Sequence, residues 1–279
     1  MQKVISLGLG VQSTALYYMS SKGILPRADY AVFSDLGREG TKTYQYLKYL
    51  QAWQKANDGI EIVVRNERNL YTDLLNVNED GQSRFSSIPA YTENGDGSEG
   101  MLRRQCTGEY KIQVVDNCIR DRYGLKSGDR RPLTEVWHGI TMDEMGRMSI
   151  PMEAWKVNTY PFIGYAATSK LKGYKIDWAI RKTRGEVIQW YHENGLPVPP
   201  KSSCIFCPYQ SDYSWHRMKT ADPEDFADAV RVDKAIRNST KKGGKQPVYL
   251  HRSMKPLDQI NFNPTLEIDW GDCSGNCHV

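Results

Sequence analysis

The chain has 279 residues, 39% of them hydrophobic and 25% charged, a composition ordinary for a soluble globular protein able to bury a full core. No apolar stretch approaches the roughly 20 residues that cross a bilayer, which excludes a membrane span from the reading. With 37 Lys and Arg against 33 Asp and Glu, the net charge of +4 permits an anionic partner without requiring one. The N-terminus, "MQKVISLGLGV", has a short apolar run interrupted by Gly8 and Gly10 with no small-residue cleavage site after it, so it reads as a first strand and not as a signal. The expected compartment is therefore the reducing cytoplasm, where a C-x-x-C serves metal binding or catalysis more often than a disulfide.

In chain order, "KVISLGL" predicts a strand, "QSTALYYMSSKG" a helix closed by Gly23, "ADYAVFSD" a strand, "GTKTYQYLKYLQAWQKAN" a helix and "IEIVVRN" a third strand. Tyr44, Leu47, Leu50 and Trp53 recur at three-residue spacing, a core stripe. The βαβαβ order predicts a twisted parallel sheet with helices on both faces. Residues 76–108 turn polar and rich in Gly and Ser and read as a long inserted loop. "LTEVWHGIT" predicts another strand, "KIDWAIRKTRGEVIQWYHENG" a helix stopped by Gly195, and "DPEDFADAVRVDKAIRNS" a helix capped by Asp222 with Pro223 in its first turn. A basic loop, "TKKGGKQ", and an irregular tail follow.

The junction "SLGLGVQSTAL" joins a strand to a helix through glycines. Glycines let the backbone approach an anion, while Ser13 and the free N–H groups of the helix start supply donors at the positive end of its dipole. It is neither a Walker A loop nor a dinucleotide fingerprint, because no Gly-Lys-Ser/Thr follows and Ser13 stands at the third glycine position.

Six segments, "SLGLGVQSTAL", "AVFSDLGREGTKTYQYL", "RRQCTGEYKI", "HGITMDEMGRM", "YPFI" and "PPKSSCIFCP", stand in the order of the PP-loop (N-type ATP pyrophosphatase) superfamily. The chain most resembles its phosphoadenosine phosphosulfate reductase-like branch. The resemblance implies an adenine nucleotide alpha-hydrolase-like, Rossmann-like α/β fold. Residues 1–200 would form the nucleotide-binding domain, and residues 201–279 a cysteine-bearing helical and irregular extension packed on it. The family loop S-G-G-x-D-S is here Gly8, Leu9, Gly10, Val11, Gln12, Ser13, so Gln12 replaces an Asp that often helps hold magnesium.

Carried over by position, the resemblance assigns Gly8, Gly10, Val11, Gln12 and Ser13 to the phosphates and Phe33, Ser34 and Asp35 to the adenosine. Gly139, Asp143, Glu144 and Arg147 fall on the segment that closes over the nucleotide. Lys111 and Arg147 are cations suited to phosphate or sulfate oxygens, and Arg103 and Arg104 flank Cys106 where a phosphate backbone could pass.

Five cysteines remain as ligands or nucleophiles: Cys106, Cys204, Cys207, Cys273 and Cys277. Thiolates at C-x-x-C with distant partners suit an iron–sulfur cluster or tetrahedral zinc; the resemblance favours a 4Fe-4S cluster on Cys106, Cys204, Cys207 and Cys273, leaving Cys277 to move as a nucleophile or persulfide carrier. Cys118 lies in the amphipathic "KIQVVDNCIRDRYG" and reads as a small buried hydrophobe. His138 reads as packed or hydrogen-bonded, His216 and His251 lack metal spacing, and His278 adjoins Cys277. Three functions compete: sulfur transfer to a nucleic acid, tRNA or DNA, with ATP and Mg and a sulfur donor; reduction of a phosphosulfate nucleotide; and non-catalytic nucleotide or zinc binding. The basic segments and the tryptophans and tyrosines available for stacking favour the first, and a homodimer is compatible with all three.

Overall fold

A computed structural model describes residues 1–76, 88–238 and 246–262. Its centre is a seven-stranded sheet built from β1 (Gln2–Ser6), β2 (Tyr30–Ser34), β3 (Glu61–Arg65), β6 (Thr134–Trp137), β7 (Lys156–Tyr160), β8 (Tyr165–Thr168) and β9 (Tyr174–Lys175), in the order β3-β2-β1-β6-β7-β8-β9. The first five of that order run parallel and β8 and β9 antiparallel. The expected βαβαβ unit is present, with α1 (Val11–Ser21) and α2 (Thr41–Ala56) as its crossovers. The chain first builds outward from β1 to β3, then returns to lay β6 on the other side of β1. A sheet that reverses direction in this way opens a crevice at the carboxyl ends of the two strands that flank the reversal.

Strand alternation sends Ile5, Leu7, Ala31, Phe33 and Trp137 to one face, where they meet α1, α2 and α5 (Arg184–Glu193) in the largest core cluster. Leu47 and Leu50 are the buried part of the stripe expected on α2. Val4, Val32 and Val136 point the other way, to α4 (Gln113–Arg122) with Cys118 and Ile119. Cys118 is fully buried, as its amphipathic surroundings predict. A third cluster joins α3 (Leu70–Leu75) to α6 (Asp212–Ala221), α7 (Pro223–Arg237) and β10 (Val248–Tyr249) around Leu70, Leu74, Phe206, Trp215 and Val232.

Several expectations are corrected. The polar loop holds a hairpin, β4 (Tyr91–Glu93) and β5 (Glu99–Met101), completed by β10 as a small antiparallel sheet; residues 77–87 of that loop lie outside the described residues. The helix read from Lys175 begins only at Arg184, where Thr183 and Glu186 close a reciprocal capping box that sets the start. Asp222 makes no side-chain cap to α7, because its carboxylate takes a 2.9 Å hydrogen bond from Lys42 Nζ. The edge strand β3 is tied to α4 by ion pairs of Arg65 with Asp121 and of Arg122 with Glu61. Among the described residues no helix is long and apolar enough to cross a membrane.

Candidate functional site

At the reversal of the sheet lies a cavity of about 1060 Å³. Gly8 and Ser34 border it at the ends of β1 and β2, His138 after β6, and Asn158 on β7. The glycine-bearing loop after β1 reaches it through Gly8 in a strained conformation. Leu9, fully buried, adopts φ +57°, a left-handed geometry that costs a non-glycine residue free energy and persists where surrounding packing dictates it. Gly10 is extended, at φ −86° and ψ 173°, so glycine is not needed there for its dihedral angles. The Ser13 hydroxyl accepts from the Gly8 N–H at 3.1 Å and donates to the Gly10 carbonyl at 3.4 Å, so it closes the turn in place of reaching outward as expected. The donors that remain for an anion are the first-turn N–H groups of α1, which have no acceptor inside their helix.

Gly139 presses on this loop from β6. A Cβ there would stand 2.4 Å from the Ser13 nitrogen and 2.7 Å from its Cα, so the close approach requires glycine. The closing segment forms a 3₁₀ turn, Met142–Arg147, joined to the loop by side chains. Gln12 Nε2 donates to Glu144 at 3.0 Å, Arg184 donates to Gln12 Oε1 at 3.1 Å, Glu144 pairs with Arg147 at 2.8 Å, and Asp143 accepts from the Arg184 backbone at 3.0 Å. Gln12, Asp143, Glu144 and Arg147 are thus brought together as expected, with Arg184 as a member the sequence reading missed. None of these side chains borders the large cavity, and neither does Asp35, which accepts from the Gly37 N–H and the Tyr44 hydroxyl. Phe33, Ser34 and Lys111 do border it.

The floor of the cavity carries a buried ion pair, Lys156 with Asp116 at 2.7 Å; burial pushes the Asp116 carboxyl upward while Lys156 opposes it. Burial also lowers His138 to about 4, against a 3.2 Å hydrogen bond to Asn158 that favours the proton. The ring is therefore neutral near pH 7 and hydrogen-bonded, as its context in the sequence predicts. Glu39, another residue missed, is 2% exposed and borders the cavity, yet its Oε2 has no hydrogen-bond partner. Burial raises its proton affinity, with Lys111 acting against that and Asp35 adding to it.

Next to this cavity lies a small one of about 30 Å³ bordered by Cys106, Cys204 and Cys207. The three cysteines are brought together across 101 residues of sequence by the β-bridge between Glu39 and Cys204 and by the π-helical turn Thr107–Ile112 that follows Cys106. Such π-helical turns are frequent at functional sites. Thr107 and Lys111 border both cavities. A hydrogen bond between Cys204 and Cys207 lowers the Cys207 thiol and raises that of Cys204, while burial raises Cys106. Three thiols around one space are donors of the right kind for iron or zinc. Among the described residues, however, no group of three or more His, Cys, Asp and Glu is placed to hold a metal ion. Cys273, Cys277, His278 and most of the "TKKGGKQ" loop lie outside the described residues.

Arg104 leans over the Tyr209 ring, 5.9 Å from its centre, and borders the thiol cavity. Of the tryptophans expected to stack on bases, Trp137, Trp190 and Trp215 are buried in the cores, Trp53 and Trp178 pack against one, and Trp155 borders the large cavity. No family model, no curated protein and no solved structure matches the chain.

Proposed function

We propose that the protein is a PP-loop enzyme that binds an adenine nucleotide in the large cavity and uses it for sulfur transfer, with a nucleic acid as acceptor. The observation that carries this reading is the shared wall: Thr107 and Lys111 separate a strand-end cavity with a phosphate-type loop from a pocket of three thiols. In this reading an acceptor carbonyl oxygen attacks the α-phosphorus of ATP and pyrophosphate leaves. The terminal sulfur of a cysteine persulfide then attacks the activated carbon, and AMP departs with the oxygen. With a persulfide, a second thiol attacks the disulfide sulfur to free the product, and a thiol reductant resets the pair. A cluster, when bound to Cys106, Cys204, Cys207 and one further thiolate, would supply the redox or sulfur-carrying chemistry. Lys111 lies where it can stabilise anionic oxygens on one side and thiolates on the other.

The test is pyrophosphate release from ATP by anaerobically purified protein, with RNA and single-stranded DNA as acceptors, beside assays of iron, zinc and labile sulfide. Acceptor-dependent pyrophosphate is the expected result. Sulfite released from a phosphosulfate nucleotide without pyrophosphate would move the protein to the reductases, and ATP bound without turnover of any acceptor would leave a binding protein.

A further inference from the structure

Of the phosphate-type loop only Gly8 borders the large cavity, and the loop brings no carboxylate to it. Gln12, at the position where the family loop has its Asp, is held by Glu144 and Arg184. The acidic residues that do border the cavity are Glu39, Asp116, Asp129 and Glu153. Asp116 is held by Lys156 at 2.7 Å, Glu153 pairs with the same lysine at 3.8 Å, and Asp129 accepts from the Lys126 N–H at 2.8 Å. Only Glu39 among these four combines near-complete burial with an oxygen that has no partner. A buried acceptor left in that state costs about 1–3 kcal/mol, more for a charged group, so its persistence points to a partner that arrives with a ligand.

The chain also places Glu39 close to the phosphates' expected seat. The Ser202 hydroxyl donates to the Gly8 carbonyl, and Cys204, two residues on, pairs with Glu39 in a β-bridge. Two residues of extended chain span roughly 7 Å, a distance that bound phosphates together with their cation, rather than the cation alone, would fill. Magnesium and manganese take hard oxygen ligands and are commonly held by one or two carboxylates together with substrate phosphates, so no complete protein cage is required.

We propose that Glu39 is the carboxylate ligand of a divalent cation that accompanies the nucleotide's phosphates, taking over the part that Gln12 cannot play. This rests on the nucleotide reading above. Lys111, on the same wall, then neutralises phosphate oxygens that the cation leaves free.

The test is calorimetric titration of ATP into wild-type protein and Glu39→Gln, in EDTA and in magnesium, with the electron paramagnetic resonance of manganese–ATP as a second readout. Wild-type protein is expected to bind ATP about tenfold or more tightly with magnesium, the gain of one charge-assisted contact. Glu39→Gln should bind at least as well as wild type in EDTA, since a negative charge is removed, but gain little from magnesium, and its manganese spectrum should lose the protein-bound component. Should Glu39→Gln not fold, Glu39→Asp, which keeps the charge and draws the oxygens back by one methylene, should give an intermediate magnesium response. An equal magnesium response in wild type and variant overturns the assignment of Glu39 while leaving the nucleotide site standing. No ATP binding by wild type in either buffer overturns the nucleotide reading and this assignment with it.

Discussion

His138 shows how one side chain carries a pH signature. Its pKa in the folded chain is about 4 because burial disfavours the imidazolium, whereas an unfolded histidine titrates near 6.5. The unfolded chain therefore binds more protons between those values. Stability contributed by the neutral ring is full above about pH 6.5 and is lost as pH falls toward 4. The loss is on the order of 2–3 kcal/mol at its limit, reduced because the ring is only partly shielded from the cavity. Urea midpoints at pH 7.5 and pH 4.5 should fall further in wild type than in His138→Gln, and equal falls would show that the ring is not desolvated. Gly139 carries a steric signature. Its missing Cβ accommodates the Ser13 backbone, so Gly139→Ala must push the phosphate-type loop aside, at about 1–3 kcal/mol of stability. A Ser202→Ala control, which removes only the hydroxyl that donates to the Gly8 carbonyl, should cost less, and the two are compared by denaturant unfolding with ATP affinity measured beside it.

Among the elements, the C-x-x-C turn divides its two thiols unequally. In metal-free protein Cys207, whose thiol the hydrogen bond with Cys204 lowers, should be alkylated faster than Cys204, with a rate that climbs as pH rises because thiolate accumulates. Cys118, fully buried, should stay unmodified until the chain unfolds. Peptide mapping after timed iodoacetamide pulses reads all three, and equal rates for Cys204 and Cys207 would dissolve the pairing. The capping box of α5 gives a smaller effect: Thr183→Ala should lower stability by about 1 kcal/mol in thermal unfolding.

The same elements show which parts were legible in the sequence. The strands β1, β2 and β3 and the helices between them announce themselves because each is a short apolar run or a three-residue stripe bounded by glycine or polar residues. The hairpin Tyr91–Met101 looks like loop in the sequence because its residues are polar and its sheet is made with β10, some 150 residues away. Strands β7 to β9 carry little alternation because β7 is buried throughout and β9 has only two residues. Of the site, Cys204 and Cys207 were legible from the C-x-x-C spacing, and Cys106 and Gly139 only from the positions they share with the family the sequence resembles. Glu39 and Arg184 were not, because a charged residue in a polar run looks solvated until tertiary packing buries it or turns it inward.

At the scale of the whole molecule, the segment after residue 200 is not a detachable appendage. Phe206, Trp215, Val232 and Ile236 share a core with Leu36, Leu70 and Leu74 from the first half of the chain. A fragment ending at residue 200 leaves those leucines without their partners and is expected to bind a hydrophobic dye and to lack a cooperative thermal transition. A cooperative melt for that fragment would show that the first 200 residues stand on their own.

The charged rim of β3 has a further meaning for how copies of the molecule can meet. An open strand edge is a template for another chain's backbone, and proteins blunt it with charge. Here Glu61 and Arg65 are already engaged by α4, so a neighbour adding an eighth strand at β3 would meet a border of charged side chains held in the pairs Arg65–Asp121 and Arg122–Glu61. Growth of the sheet into a continuous inter-subunit ribbon is disfavoured at that border, so self-association, where it occurs, is expected away from β3.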